Sequence, residues 1–261
     1  MNEQNTPAGN TGETAPPFIP GASAGNAALG AIPGEQIPIG NAAAAIEAIL
    51  RQPRRVMYQL TAPSAGGLAA ALLGIALVCS IIYGIVVGAF SGAEQWWAAP
   101  LKISVGLLLS ALICLPSLYI FSCLGGSQAR LMEVFGLLTG LLALMTVLLI
   151  GFAPVAWVFS QSTQSVAMMG ALHLAFWFVA TCFGLRFLHS GFRHFSTRSF
   201  AGLNVWILVF LMVALQMTTA LRPIIGRANT FLPAAKDKKF FVSHWMDCLD
   251  ISGPEQPNKN D

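Results

Sequence analysis

From Gly66 to Leu221 the chain carries only two acidic residues, Glu94 and Glu133. The same stretch consists of apolar blocks of about 20 residues or more, long enough to cross a ~30 Å hydrocarbon core. Inside hydrocarbon every backbone N–H and C=O must be answered within the protein, so such blocks cross as helices. This feature fixes the class: an all-α polytopic membrane protein. Composition agrees. Charged residues are 10% of the chain, against about 25% in soluble domains.

The blocks predict five spans, at about 66–90, 101–124, 131–151, 166–185 and 202–221, forming a five-transmembrane-helix bundle. Pro63 and Gly66-Gly67 precede the first, Pro100 opens the second, and Arg222-Pro223 stops the fifth. Phe152–Ser165 has no charge and contains Pro154, Trp157 and Phe159. That composition predicts an interfacial or shallow re-entrant turn.

Residues 1–40 are rich in Pro, Gly, Ala, Asn and Thr and poor in large apolar residues. Such a segment has too little apolar area to offset its ordering entropy, and the expectation is a disordered leader. It lacks the basic start and apolar core of a signal peptide. Residues 41–65 form the next unit. Asn41 is placed to cap a short helix bearing Ile46, Ile49 and Leu50, which Pro53 interrupts. Val56, Met57 and Leu60 make a second apolar face beside Arg51, Arg54 and Arg55. Two readings fit: an amphipathic helix at headgroup level with its arginines on lipid phosphates, or a plain connector. Residues 222–261 are a basic and aromatic tail.

Orientation follows from the short loops. Arg51, Arg54, Arg55, Arg130, Arg186, Arg193 and Arg198 all fall on one side of a five-span layout. The positive-inside rule makes that side cytosolic. The opposite loops contribute Lys102, Glu94 and the pair Trp96-Trp97. The expectation is a cell membrane of the bacterial inner-membrane type, with the N-terminus cytosolic and the C-terminus opposite.

Several chemistries lack their residues. No aspartate precedes Asp237, so a paired intramembrane aspartate site is excluded. There is no His-Glu-x-x-His and no Cys-x-x-Cys, and Gly125-Gly126-Ser127 at a loop lacks the Gly-x-Ser-x-Gly turn. Of the histidines, only His173 falls deep in a span, so one chain cannot supply both ligands of a b-type haem. No basic stripe with interleaved aromatics suggests nucleic acid. The chain therefore reads as a non-enzyme, with no metal, no cofactor and no nucleic-acid partner.

Counting 1.5 Å per residue, Ser80, Ser110, Thr146, His173 and Gln216 lie about 18–22 Å from the arginine-side ends of their spans. Each span gives one polar group to this level. Interhelical hydrogen bonding and the lining of a polar site both account for it. Neighbouring spans would pair His173 with Gln216. Gly84-x-x-x-Gly88 and Gly136-x-x-x-Gly140 permit close helix approach, within the bundle or in a dimer.

The stretch Ala48-Ile-Leu-Arg-Gln-Pro-Arg-Arg-Val-Met-Tyr-Gln-Leu60 before the first span resembles the entry segment of bacterial Yip-family membrane proteins. That resemblance implies a five-span layout and no established chemistry. Three further features are Leu115-Pro116-Ser117-Leu118-Tyr119, Leu221-Arg222-Pro223 and Phe240-Phe241-Val242. Through them the chain is similar to a group of bacterial five-span integral membrane proteins with no assigned function. The expected role is a non-catalytic scaffold or accessory subunit in the bilayer, with a protein partner or a second copy. The alternative is a small-solute or proton-linked carrier centred on His173.

Overall fold

The computed structural model describes residues 28–91, 95–162, 166–195 and 197–220. The first 27 residues and the tail expected over 222–261 lie outside them. All described secondary structure is helical. A 3-10 turn over Pro33–Gln36 is followed by α1 (Ala42–Arg51), α2 (Pro53–Leu60), α3 (Ala65–Ser91), α4 (Gln95–Leu124), α5 (Leu131–Ser162), α6 (Val166–His194) and α7 (Ala201–Ala220). Among the described residues, α3, α4, α5 and α6 are long and apolar enough to cross a membrane, and α7 adds a shorter apolar stretch over Ala201–Gln216.

The local chemistry explains the ends. Asn41 Oδ1 accepts the Ala44 N–H at 2.7 Å and caps α1. Pro53 opens α2 in its first turn, where its missing N–H costs nothing. Glu133 Oε2 accepts the Arg130 N–H at 2.7 Å, the reciprocal half of a capping box at the start of α5. Glu133 thus caps the helix it begins.

Two helices run further than expected. Phe152–Ser162 continues α5 and makes no re-entrant turn. Pro154 interrupts one hydrogen bond, but the segment has no charge to pull it out of the helix. The Ser160 and Ser162 hydroxyls donate to the Trp157 and Val158 carbonyls near the exposed end. Likewise α6 continues to His194, so Arg186 and Arg193 are helical and not in a loop. Burial holds this continuation: Phe187, Leu188 and Phe192 are all enclosed.

The helices stand in the spatial order α6, α5, α3, α4, α7. Chain order is broken twice. α5 packs along α3 more than along α4, and α7 packs on α4 instead of α6. The middle of α5, from Gly136 to Thr146, is buried throughout. Side chains such as Val78, Ile82, Leu112, Phe178 and Leu208 point outward from the surrounding helices. That outer apolar surface suits contact with a lipid bilayer.

α1 and α2 fill the gap between α3 and α6 against α5 at the arginine-bearing end. Ala45, Ala48, Ile49, Val56, Met57 and Leu60 are all buried. Gly136 and Gly140 make room for them. A Cβ at Gly136 would stand 2.6 Å from Leu60 Cδ2. One at Gly140 would stand 2.6 Å from the Phe187 ring and 3.7 Å from Ile49 Cδ1. These small residues therefore serve packing within one chain. Gly84 does the same where α3 meets the backbone of Pro100 on α4.

Candidate functional site

The two sets of residues singled out by sequence occupy different parts of the bundle. The intramembrane set does not converge. Ser80 on α3 shares a 2.8 Å hydrogen bond with Ser104 on α4. Ser110 turns back to the Gly106 carbonyl at 2.7 Å. Thr146 turns back to the Leu142 carbonyl at 2.9 Å. His173 is buried on α6, and its Nδ1 lies 2.7 Å from the Tyr83 hydroxyl of α3. Gln216 is exposed on α7.

The expected His173–Gln216 pair is thus replaced by His173–Tyr83. Topology is the reason: α6 and α7 follow each other in the chain, but α7 lies beside α4 at the far side of the array. Levels on α4 also differ from a residue count along the chain. Ser80 is about 22 Å from the start of α3, whereas its partner Ser104 is about 30 Å from the end of α4. The arginine-side end of α4 therefore overhangs α3 by roughly 8 Å, assuming parallel axes. Ser110 therefore lies nearer the arginine-bearing end than Ser80 does.

Tyr83 and Ser104 were missed because both read as ordinary span residues. Lys102 was missed differently. It was assigned to a loop, but it is buried inside α4.

Around His173 the surroundings are aromatic. Phe176 stands edge-on to it, with ring centroids 6.5 Å apart, and Phe176 stacks on Phe152 of α5 at 4.8 Å. Tyr83 meets the imidazole edge-on at 5.7 Å. His173 Nε2 is buried and has no hydrogen-bond partner.

At the other end, the arginines divide into two groups. Arg54 and Arg55 hold a strap formed by residues 28–40. Arg54 Nε donates to Glu35 Oε1 at 2.5 Å, and its Nη2 reaches the Ala28 carbonyl at 3.3 Å. Arg55 Nε donates to the Ile37 carbonyl at 2.9 Å and its Nη2 to that of Pro38 at 3.1 Å. Gln59 works from both sides of its amide. Its Oε1 accepts the Ile39 N–H at 3.0 Å, and its Nε2 donates to the Ile37 carbonyl. Glu35 is buried and also accepts the Gly30 N–H at 2.6 Å.

Gly30 has φ +87°, and a Cβ there would stand 2.6 Å from the Tyr58 ring. Only glycine fits this turn without strain. Burial pushes the Glu35 carboxyl up. The Arg54 hydrogen bond, the Gly30 N–H and the charges of Arg54 and His194 outweigh it and hold the group below its ordinary range.

Two expectations are corrected here. The leader does not extend unpacked to residue 40, because residues 28–40 are docked on α2. Arg54 and Arg55 do not sit against lipid phosphates, because they are committed to Glu35 and to strap carbonyls. The sequence hid this because Glu35 is a lone acid in a Pro-Gly-rich segment, and its partner is 19 residues on.

The second group is exposed: Arg51, Arg130, Arg186, Arg193 and Arg198. Arg51 makes an exposed ion pair with Glu47 at 3.4 Å. Arg198 belongs to a loop whose backbone is tied to the α4–α5 turn. The Arg198 and Ser199 N–H groups both donate to the Gly125 carbonyl, at 2.9 and 3.1 Å. At the same end, Gln128 N–H reaches the Phe195 carbonyl at 3.3 Å.

No group of three or more His, Cys, Asp or Glu side chains is placed to hold a metal ion among the described residues. Comparison of the chain with protein-family models, curated proteins and solved structures finds no match.

Proposed function

We propose that this protein is a non-catalytic scaffold or accessory subunit of a membrane complex. It would cross a bacterial inner-type membrane five times, with α7 as the fifth span. Its arginine-bearing end would face the cytosol and its C-terminus the other side. The packing of α5 carries the reading. A carrier needs a polar path through the bundle, and here the centre is a helix buried on all sides from Gly136 to Thr146. Its hydroxyls are spent locally, Thr139 on Gly136 and Thr146 on Leu142 and Ala143. The docked strap and the exposed arginines give a rigid face to partners at the arginine-bearing end.

The test is the size of the assembly that holds the chain in mild detergent extracts of its native membrane. A species well above the purified protein's mass, shifted by Arg54→Glu, is expected. Migration at the purified mass would remove the scaffold reading.

One observation favours a carrier instead: His173 Nε2 is buried without a partner. In that reading His173→Gln abolishes proton flux in proteoliposomes while the fold survives. The scaffold reading expects no His173-dependent flux.

A further inference from the structure

Among the described residues, His173 Nε2 is the buried side-chain polar atom that nothing in the protein answers. Its tautomer can be deduced. If Nδ1–H donated to Tyr83, the phenolic O–H would need another acceptor and Nε2 would be a second orphan. If the Tyr83 O–H donates to Nδ1, both of those atoms are satisfied and only an Nε2–H donor remains. In an apolar surround the arrangement with fewer orphans wins, since each unanswered group costs several kcal/mol. The unpartnered group is thus an N–H seeking an acceptor.

Its position limits what that acceptor is. His173 lies about 10 Å from the end of α6 remote from the arginines, and Tyr83 about 12 Å from the corresponding end of α3. Both levels lie within the apolar belt, where Ile82 and Ile85 of α3 and Leu174 of α6 are exposed outward. A molecule reaching this level arrives through lipid. It must be largely apolar and carry an acceptor oxygen. Beside the imidazole stands Phe176, stacked in turn on Phe152, and both rings are half-buried. They offer partly accessible flat aromatic surface to a ring.

We propose that His173, positioned by Tyr83 and beside the stacked pair Phe176 and Phe152, anchors the carbonyl oxygen of a lipid-soluble compound entering sideways from the bilayer. Two sources share this chemistry, the ring carbonyl of a quinone and the ester carbonyl of a lipid. The site is a binding site, and no electron or proton transfer is required of it. It is compatible with an accessory subunit and does not depend on that reading.

The experiment uses the full chain in nanodiscs with 15N-labelled histidine. His173→Phe assigns the His173 signal, and His173→Gln does so if the first variant fails to fold. The wild-type spectrum should show the Nε2–H tautomer, lost in Tyr83→Phe. Decylubiquinone should move the Nε2–H signal saturably, with decylbenzene giving no shift, if the occupant is a quinone. A shift between ester-linked and ether-linked phosphatidylcholine, without quinone, would assign the acceptor to lipid. Phe176→Ala should change the concentration dependence of whichever shift is seen. A signal indifferent to both quinone and linkage, as a buried water would give, overturns the proposal. So does an Nδ1–H tautomer.

Discussion

The two ends of the bundle treat polar groups in opposite ways. At the arginine-bearing end, charged groups are buried in company. Glu35 accepts from Arg54 and Gly30, while Arg55 and Gln59 answer strap carbonyls. At the other end, one imidazole is bridged to one phenol, and a ring nitrogen is left over. The first pattern gives rigidity, because many bonds must break together before the strap leaves. The second gives little stability and leaves a donor available.

The comparison breaks most readily at α2. Leu60→Ala removes the side chain that fills the Gly136 notch and should destabilise by about 3 kcal/mol, the middle of the range for buried Leu truncation. Reversible unfolding in mixed micelles measures it. A loss under about 1 kcal/mol would mean that α2 is not part of the core.

Arg54→Met leaves Glu35 buried without its cation. Breaking a buried pair typically costs about 3–5 kcal/mol. Here much of that loss should appear as local release of the strap. Amide exchange across Gly30–Ile39 should accelerate strongly while exchange in α5 stays slow. Gly30→Ala should do the same through strain and collision with Tyr58. Uniform acceleration throughout would show that the strap is not a separate unit.

Acid probes the same pair. The Glu35 carboxyl is held below its ordinary value in the folded protein, so the stability it lends is present above the unfolded carboxylate range. That stability is lost as pH falls through the folded value. Strap protection factors, exchange rates corrected for their intrinsic pH dependence, should therefore fall on acidification, with Arg54 and His194 as the neighbouring cations. Glu35→Gln should flatten that dependence. A wild-type profile unchanged by the substitution would remove Glu35 as the titrating group.

At the opposite end the effects should be smaller. Coupling between Tyr83→Phe and His173→Leu should be about 0.6 kcal/mol and not above roughly 1.7, the range measured for membrane hydrogen bonds. Coupling between His173→Leu and Gln216→Leu should be near zero, since α6 and α7 are not neighbours. The smallest effect belongs to residues 2–27. Deleting them should leave membrane insertion and unfolding unchanged, whereas deletion through residue 40 should lower stability by removing the strap.

The sequence alone determined the helical class and the four long apolar helices, because a bilayer leaves a chain few other ways to satisfy its backbone. It also placed the α1 cap, since Asn41 acts on a residue three positions away. Tertiary structure decided what sequence spacing cannot encode. It set α5 beside α3, brought His173 to Tyr83 across 90 residues and laid Glu35 on Arg54. Apolar helices of similar length can pack in many orders, and hydropathy does not distinguish them. The order is chosen by shape, by notches such as Gly136 and Gly140 that fit particular side chains. Once that order is set, each buried polar group takes the partner that packing brings within reach, and among the described residues His173 Nε2 is the one left without.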